Sequence, residues 1–264
     1  DLAFPLPFEV ISHMMGMPAT DTHQLREWSG TLVRSLEPVV DPEVLKAIAA
    51  ASDNMRALIG DAIAWKRKEP ADDLLSALIA AEEHGDVLSD DELVEQVILL
   101  YVAGHETTVN LIGNGILTLF EHPAQLAKLK ADPELAKSAV EEILRYSGPV
   151  EHSLPRWARE DVELHGQTIR RGEQVQVLLA SADRDQTLLP DADRFDIERE
   201  PVRHLGFGMG IHACLGAPLA RIEGQIAFNT LLARFPDLRL AAPRHSLRWR
   251  AGSLIRGLES LPVA

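Results

Sequence analysis

The sequence predicts a mainly α-helical protein with small β-sheets, an α+β architecture, and three observations carry that expectation. The longest apolar pattern, roughly Asp90 to Phe120, repeats at helical spacing through Leu93, Val97, Ile98, Leu99, Val102, Ile112, Ile116, Leu117 and Phe120. It stays apolar on several sides, as a helix through the protein centre does. Helical patterns fill the chain as far as Gly148-Pro149. Beyond that pair come short alternating runs, Val162–Leu164, Gln167–Ile169 and Val175–Leu178, with Gly166 and Arg171-Gly172 as turns between them. Residues 1–148 therefore read as the helical part of a single domain over 1–264. Residues 149–264 hold its strands, meander, glycine-rich loop, last helix and terminal hairpin.

The elements follow in order. Phe8–Met17 is an apolar helical run after Pro5 and Pro7. Thr20-Asp21 reads as a cap for a helix carrying Leu25, Trp28, Leu32 and Val33. Pro38, Asp41 and Pro42 break the chain. Residues 43–68 form a long helix ending before Pro70, and Asp72–Glu83 a shorter one. Gly85–Leu88 is a turn. Ser89-Asp90-Asp91-Glu92 is a capping box, in which a serine and a glutamate three residues on satisfy each other's backbone donors. His122-Pro123 opens a helix to about Lys130, and Asp132-Pro133-Glu134 another to Tyr146. Residues 183–206 are rich in Asp, Arg and Pro and read as a packed meander. A helix to about Phe235 and a hairpin of Leu247–Trp249 with Leu254–Leu258 close the chain.

Composition narrows the function classes. The chain has 264 residues, 46% hydrophobic and 25% charged, enough to bury a large core. The net charge of −14 argues against general nucleic-acid binding, which needs a basic footprint. One cysteine excludes an internal disulfide framework and suits a cytoplasmic protein. No apolar run reaches the length of a membrane span, so no membrane partner is expected.

That cysteine lies in Phe207-Gly208-Met209-Gly210-Ile211-His212-Ala213-Cys214-Leu215-Gly216. Two glycines precede it and one follows, so the stretch reads as a tight loop that presents one sulfur to something flat or bulky. Ala213, Leu215, Leu219, Ile222 and Ile226 then follow a helical pattern, which places the sulfur at a helix start, where a thiolate is favoured. A small buried hydrophobe is the bland alternative for a lone cysteine. A catalytic nucleophile partnered by His212 is another, although closeness in sequence is not a catalytic geometry.

The pattern Phe-Gly-x-Gly-x-His-x-Cys-x-Gly resembles the ligand loop of the cytochrome P-450 monooxygenases, with six fixed residues in ten positions. The resemblance implies that family's fold, with a long central helix and a Cys-ligand loop, and haem b (iron protoporphyrin IX) as cofactor. It implies that Cys214 ligates iron as thiolate, that His212 and Arg156 contact haem propionates, and that Phe207 packs beside the sulfur. Gly208, Gly210, Gly216, Ala103 and Gly104 would lie against the cofactor. Glu142 and Arg145, three apart on one helix face, would form a buried cluster with Arg194 of the meander and hold the loop in place. Gly104-His105-Glu106-Thr107-Thr108 resembles the oxygen-binding groove of the central helix. Thr107 would hydrogen-bond bound dioxygen and Glu106 would relay protons. From the residues alone the groove is either a tolerated helical defect or a local opening. A zinc-protease HExxH is excluded, because Val109 stands where its second histidine must be.

The resemblance places substrate contacts at Val102, Ala103, Val150, His152, Leu154, Ser253 and Leu254. It implies a soluble bacterial-type enzyme that inserts one oxygen atom of dioxygen into a small apolar organic substrate. A ferredoxin-type or flavin redox partner would dock near Arg199, Arg203 and Arg221. A non-catalytic haem-binding protein and a peroxide-using enzyme of the same fold are the rival readings. His13, His23, His84, His165 and His245 read as surface or satisfied core residues. The resemblance covers essentially all 264 residues. Roughly the first third of a usual family chain has no counterpart in them. That part normally supplies one end of a sheet, further propionate contacts and the roof of the substrate pocket, so an exposed haem face is expected. The meander reads Ala182-Asp183-Arg184-Asp185-Gln186 where the family often has Asn-Arg-Asp-Pro.

Overall fold

The computed structural model describes residues 3–17, 22–36, 41–83, 88–200 and 203–264. The expected cap Thr20-Asp21, Pro38, the first part of the Gly85–Leu88 turn and His84 lie outside the described residues. The chain divides into two compact units, Asp1–Val109 and Asn110–Ala264. The division falls within a helix, not at Gly148, where the composition changes.

The first unit is helical. In α1 (Pro5–Met15), prolines occupy the first turn, where their missing N–H groups cost nothing. Gly16 ends it with φ 62°. A side chain at Gly16 would run into Asp73, so conformation and space both require glycine there. Next come α2 (Thr22–Val33) and α3 (Pro42–Lys68). Asp41 caps α3 through Glu43 N–H at 2.9 Å. The next helix, α4 (Leu74–Glu83), starts two residues later than expected, because Asp73 is its cap and accepts Ser76 N–H at 2.8 Å. Asp73 also pairs with buried Lys66 of α3. The core of this unit gathers Phe8, Ile11, Met15, Met55, Ile59, Leu93, Val97 and Tyr101.

The longest helix, α5 (Asp90–Glu121), begins at the expected capping box. Ser89 N–H donates to Glu92 Oε2 at 2.8 Å and Glu92 N–H to Ser89 Oγ at 3.3 Å. The helix runs unbroken through Gly104–Thr108, so the local opening considered there is absent. Thr107 Oγ1 donates to Ala103 O at 3.1 Å, which meets the hydroxyl without breaking the helix.

The second unit packs the rest of α5 with α6 (Pro123–Ala131), α7 (Ala136–Ser147) and α9 (Ala217–Arg234). Its core includes Leu111, Ile116, Leu119, Ile143, Phe195, Phe228 and Leu232. Two short antiparallel pairs lie after α7. The first joins β1 (Arg156–Trp157) to β4 (Gln174–Val175). The second joins β2 (Val162–Leu164) to β3 (Gln167–Ile169). His165 (φ 50°) and Gly166 (φ 78°) turn the second pair, and two positive φ values match strand twist. Gln176–Leu178 do not extend β4. Leu178 instead precedes the short α8 (Leu179–Ala182). The terminal hairpin is reduced to isolated bridges, among them Trp249↔Leu258.

The start of α9 differs from the expected one. Ala213, Cys214 and Leu215 precede the helix rather than belonging to it. Its buried face is Ala217, Glu223, Gly224, Ala227 and Phe228, while Leu215, Ile222 and Ile226 are exposed. Small residues face inward because they admit close approach. A Cβ at Gly224 would stand 3.1 Å from Val140 of α7.

Candidate functional site

The ligand loop is built by two glycines. Gly208 (φ 66°) and Gly210 (φ 80°) take left-handed conformations that other residues avoid. Gly216 has φ −81° and is not glycine for that reason. A Cβ there would lie 3.9 Å from Cys214 Sγ. Backbone bonds pin the loop: Cys214 N–H to Phe207 O at 2.9 Å, Gly208 N–H to Leu205 O at 2.8 Å and Ala213 N–H to Gly210 O at 3.1 Å. The Cys214 thiol is free and exposed, so it is no buried filler. Around it the side chains of Met209 (78%), Ile211 (97%) and Leu215 (86%) are exposed. His212, in the turn Gly210–His212, is exposed too. A Cβ on Gly210 would meet nothing within 4 Å. One accessible soft sulfur donor beside an apolar rim and open space fits a flat apolar group carrying iron.

Behind the loop stands a buried ion cluster. Arg145 grips Glu142 with two bonds, Nε to Oε2 at 2.7 Å and Nη2 to Oε1 at 2.8 Å. Its Nη1 also donates to Asp183 O at 2.9 Å and Ala192 O at 2.8 Å. Burial of this pair is tolerable because every charge is bonded. The expected third partner, Arg194, contributes its carbonyl rather than its guanidinium, which turns outward to Asp196 at 3.0 Å. The guanidinium that reaches Glu142 is that of Arg199, with Nε 3.4 Å from Oε1. Arg199 also donates to Arg194 O at 2.8 Å. It is therefore turned inward, with its side chain 15% exposed.

A second carboxylate of α7 was not singled out from sequence. Glu141 Oε1 accepts Arg221 Nε at 2.6 Å, and its Oε2 accepts Arg221 Nη2 at 2.9 Å and His204 Nε2 at 3.1 Å. Burial would raise its pKa, but the bonds and charges of His204 and Arg221 outweigh that and hold it at about 2. Asp183 accepts Leu205 N–H at 2.8 Å, yet burial leaves its carboxyl raised. The partners of Glu141 lie 63 and 80 residues away, so no local spacing could reveal them.

In the first unit, Val102 packs at the edge of the core, Ala103 is exposed and Thr107 half-buried. Gly104 lies against Ile11 of α1, where a Cβ would be 2.9 Å from Cδ1. Its glycine has a packing reason. Buried His105 bonds Tyr101 O through Nδ1 at 2.8 Å and Ser29 Oγ through Nε2 at 3.1 Å. Burial lowers its pKa, against the Tyr101 bond and the charge of neighbouring Glu106. Glu106 is buried.

In the second unit, four of the expected substrate positions come together. Val150 bridges Ile255, and Glu151 N–H donates to Leu254 O at 3.0 Å. His152 Nδ1 lies 3.0 Å from Ser153 O and its Nε2 lies 3.1 Å from the Ser253 hydroxyl. Leu154 is exposed, and so is Arg156, whose backbone pairs with Val175. Among the described residues no group of three or more His, Cys, Asp or Glu could hold a metal ion. None of their helices is long and apolar enough to cross a membrane.

The sequence profile described as Cytochrome P450 matches residues 40–242. Cytochrome P450 107B1 of Saccharopolyspora erythraea is 50% identical over 263 residues, 100% of this chain and 63% of that protein. Polyketide biosynthesis cytochrome P450 PksS of Bacillus subtilis is 46% identical over 99% of this chain and 64% of its own length. The crystal structure of myxobacterial cytochrome P450 CYP267B1 in complex with myristic acid matches with a TM-score of 0.93 at 47% identity, covering 99% of this chain and 64% of that one. The chain thus spans somewhat less than two thirds of these relatives. Membership implies a haem cofactor, which the Cys214 loop suits. On its ligand loop, its fold and these matches, the chain belongs to the cytochrome P450 family.

Proposed function

We propose that residues 1–264 form one haem–thiolate monooxygenase domain, binding haem b and inserting one oxygen atom of dioxygen into an apolar organic substrate. The observation that carries this reading is Cys214, exposed at the tip of a glycine-turned loop and held by Phe207 O. When bound there, haem supplies oxygen activation, and thiolate ligation favours O–O cleavage. Cys214 would hold the iron, Phe207 would pack beside the sulfur, and exposed His212 and Arg156 would offer hydrogen-bond donors to the propionates. The Thr107 hydroxyl, bonded to Ala103 O, and the Glu106 carboxyl hold and pass protons. Val102, Val150, His152, Leu154, Ser253 and Leu254 contact substrate. Relatives named mycinamicin IV hydroxylase/epoxidase and vitamin D(3) 25-hydroxylase support hydroxylation or epoxidation of an organic substrate. Electrons come from a separate ferredoxin-type or flavin partner near exposed Arg203. A cytoplasmic setting agrees with the single cysteine.

The test is the absorption spectrum of the reduced, carbon-monoxide-bound protein beside Cys214→Ala. A red-shifted thiolate-type Soret band, lost in the variant, is expected. A histidine-type band in both proteins overturns the assignment. In Thr107→Ala, with a reductase supplied, oxygen consumption diverts to released peroxide by about tenfold over wild type. Coupled turnover in that variant removes Thr107 from the proton route.

A further inference from the structure

One carboxylate of α7 ties together both flanks of the Cys214 loop. Before the cysteine, His204 gives its Nε2 proton to Glu141 Oε2 at 3.1 Å, and its Nδ1 accepts Gly206 N–H at 3.1 Å. These two bonds fix the orientation of the imidazole. After the cysteine, Arg221 of α9 gives Glu141 two bonds, at 2.6 and 2.9 Å. That guanidinium lies over the Phe207 ring, 4.6 Å from its centre. The His204 ring lies 5.8 Å from the same ring. The carbonyl of Phe207 is the acceptor for Cys214 N–H at 2.9 Å. The contacts thus form a continuous chain from Glu141, through Arg221 and Phe207, to the cysteine backbone. Neighbouring Glu142 does something different, since it holds the meander through Asp196 N–H and Arg199.

We propose that Glu141 is a positioning residue for Cys214: through His204 and Arg221 it clamps the loop on both sides and balances the charge of Arg221. The Arg221 pKa is raised first by its bonds to Glu141, with a smaller contribution from the charge of Cys214. Glu141 keeps that cation in place and offsets it. The geometric half stands on the loop alone, and the charge half rests on the haem–thiolate reading.

Two readouts separate them. The first is amide hydrogen exchange in the haem-free chain. Glu141→Gln removes the charge and one of the accepting oxygens. It should speed exchange of the Cys214 and Leu205 amides at least about tenfold. The Ala227 and Phe228 amides inside α9 should stay within about twofold of wild type. Glu141→Asp, which keeps the charge on a shorter stem, should recover part of the protection. Unchanged exchange at Cys214 overturns the proposal. So does equal acceleration inside α9, which would mark general loosening.

The second readout is the haem midpoint potential. Glu141→Gln leaves Arg221 uncompensated and should favour the ferrous form. Arg221→Gln removes the cation and should favour the ferric form. Each should change the ferrous-to-ferric ratio at fixed poise by about tenfold, 59 mV for one electron, in opposite directions. Shifts of the same sign overturn the charge half. If the wild-type chain takes up no haem with a thiolate spectrum, the functional reading fails, and exchange at Cys214 still decides whether Glu141 positions the loop.

Discussion

Glu223, on α9, is 4% exposed, and neither carboxyl oxygen has a hydrogen-bond partner among the described residues. Burial disfavours its charged form and pushes its pKa up to about 7 from 4.5. The unfolded chain binds fewer protons at this site between those values, so stability falls as pH rises from about 4.5 to about 7 and is level above. The full cost of ionisation is about 3 kcal/mol. Glu223→Gln cannot ionise, so urea unfolding should show it more stable than wild type at pH 8 by up to about 3 kcal/mol. The two should converge or reverse at pH 4.5. A wild-type advantage at pH 8 would mean that the carboxylate has a partner. Glu141 shows the opposite outcome for a half-buried carboxylate, because two side chains, His204 and Arg221, meet it with three bonds. Residue type and neighbouring sequence told Cys214, Gly208 and Gly210 apart from filler, since each answers a local demand for a donor or a positive φ. They picked out Glu142 with Arg145 and missed Glu141, because the donors that give Glu141 its role come from distant parts of the chain.

At the scale of elements, α5 and α9 show how contact overrides local preference. Alanine is a better helix former than glycine by about 1 kcal/mol. At Gly113 a Cβ would meet nothing within 4 Å, so Gly113→Ala should stabilise by about 0.5–1 kcal/mol. At Gly115 a Cβ would fall 2.5 Å from Phe228 Cζ and 3.2 Å from Ile143 Cδ1. Gly115→Ala should therefore destabilise by about 1–3 kcal/mol through overpacking. Denaturant midpoints of the two variants should move in opposite directions. Equal stabilisation of both would show that Phe228 yields without strain. Helix extents were largely legible, because caps such as Ser89–Glu92 are local devices. The inward face of α9 was not. An apolar count chose Ile222 and Ile226, whereas close packing on α7 selected Gly224 and Ala227.

For the whole molecule, the sequence by itself determined the helical majority, the change to short strands after Gly148 and the loop that presents one sulfur. These follow from signals within a few residues: apolar periodicity, capping pairs and glycine placement. The tertiary structure decided the unit boundary within α5, the unbroken course of the helix past Thr107 and the choice of Arg199 over Arg194 beside Glu142. It also decided the grip of Glu141 on His204 and Arg221. A buried charge takes whichever donor the packed chain brings within hydrogen-bond reach. That choice depends on contacts between elements dozens of residues apart, which no local pattern encodes.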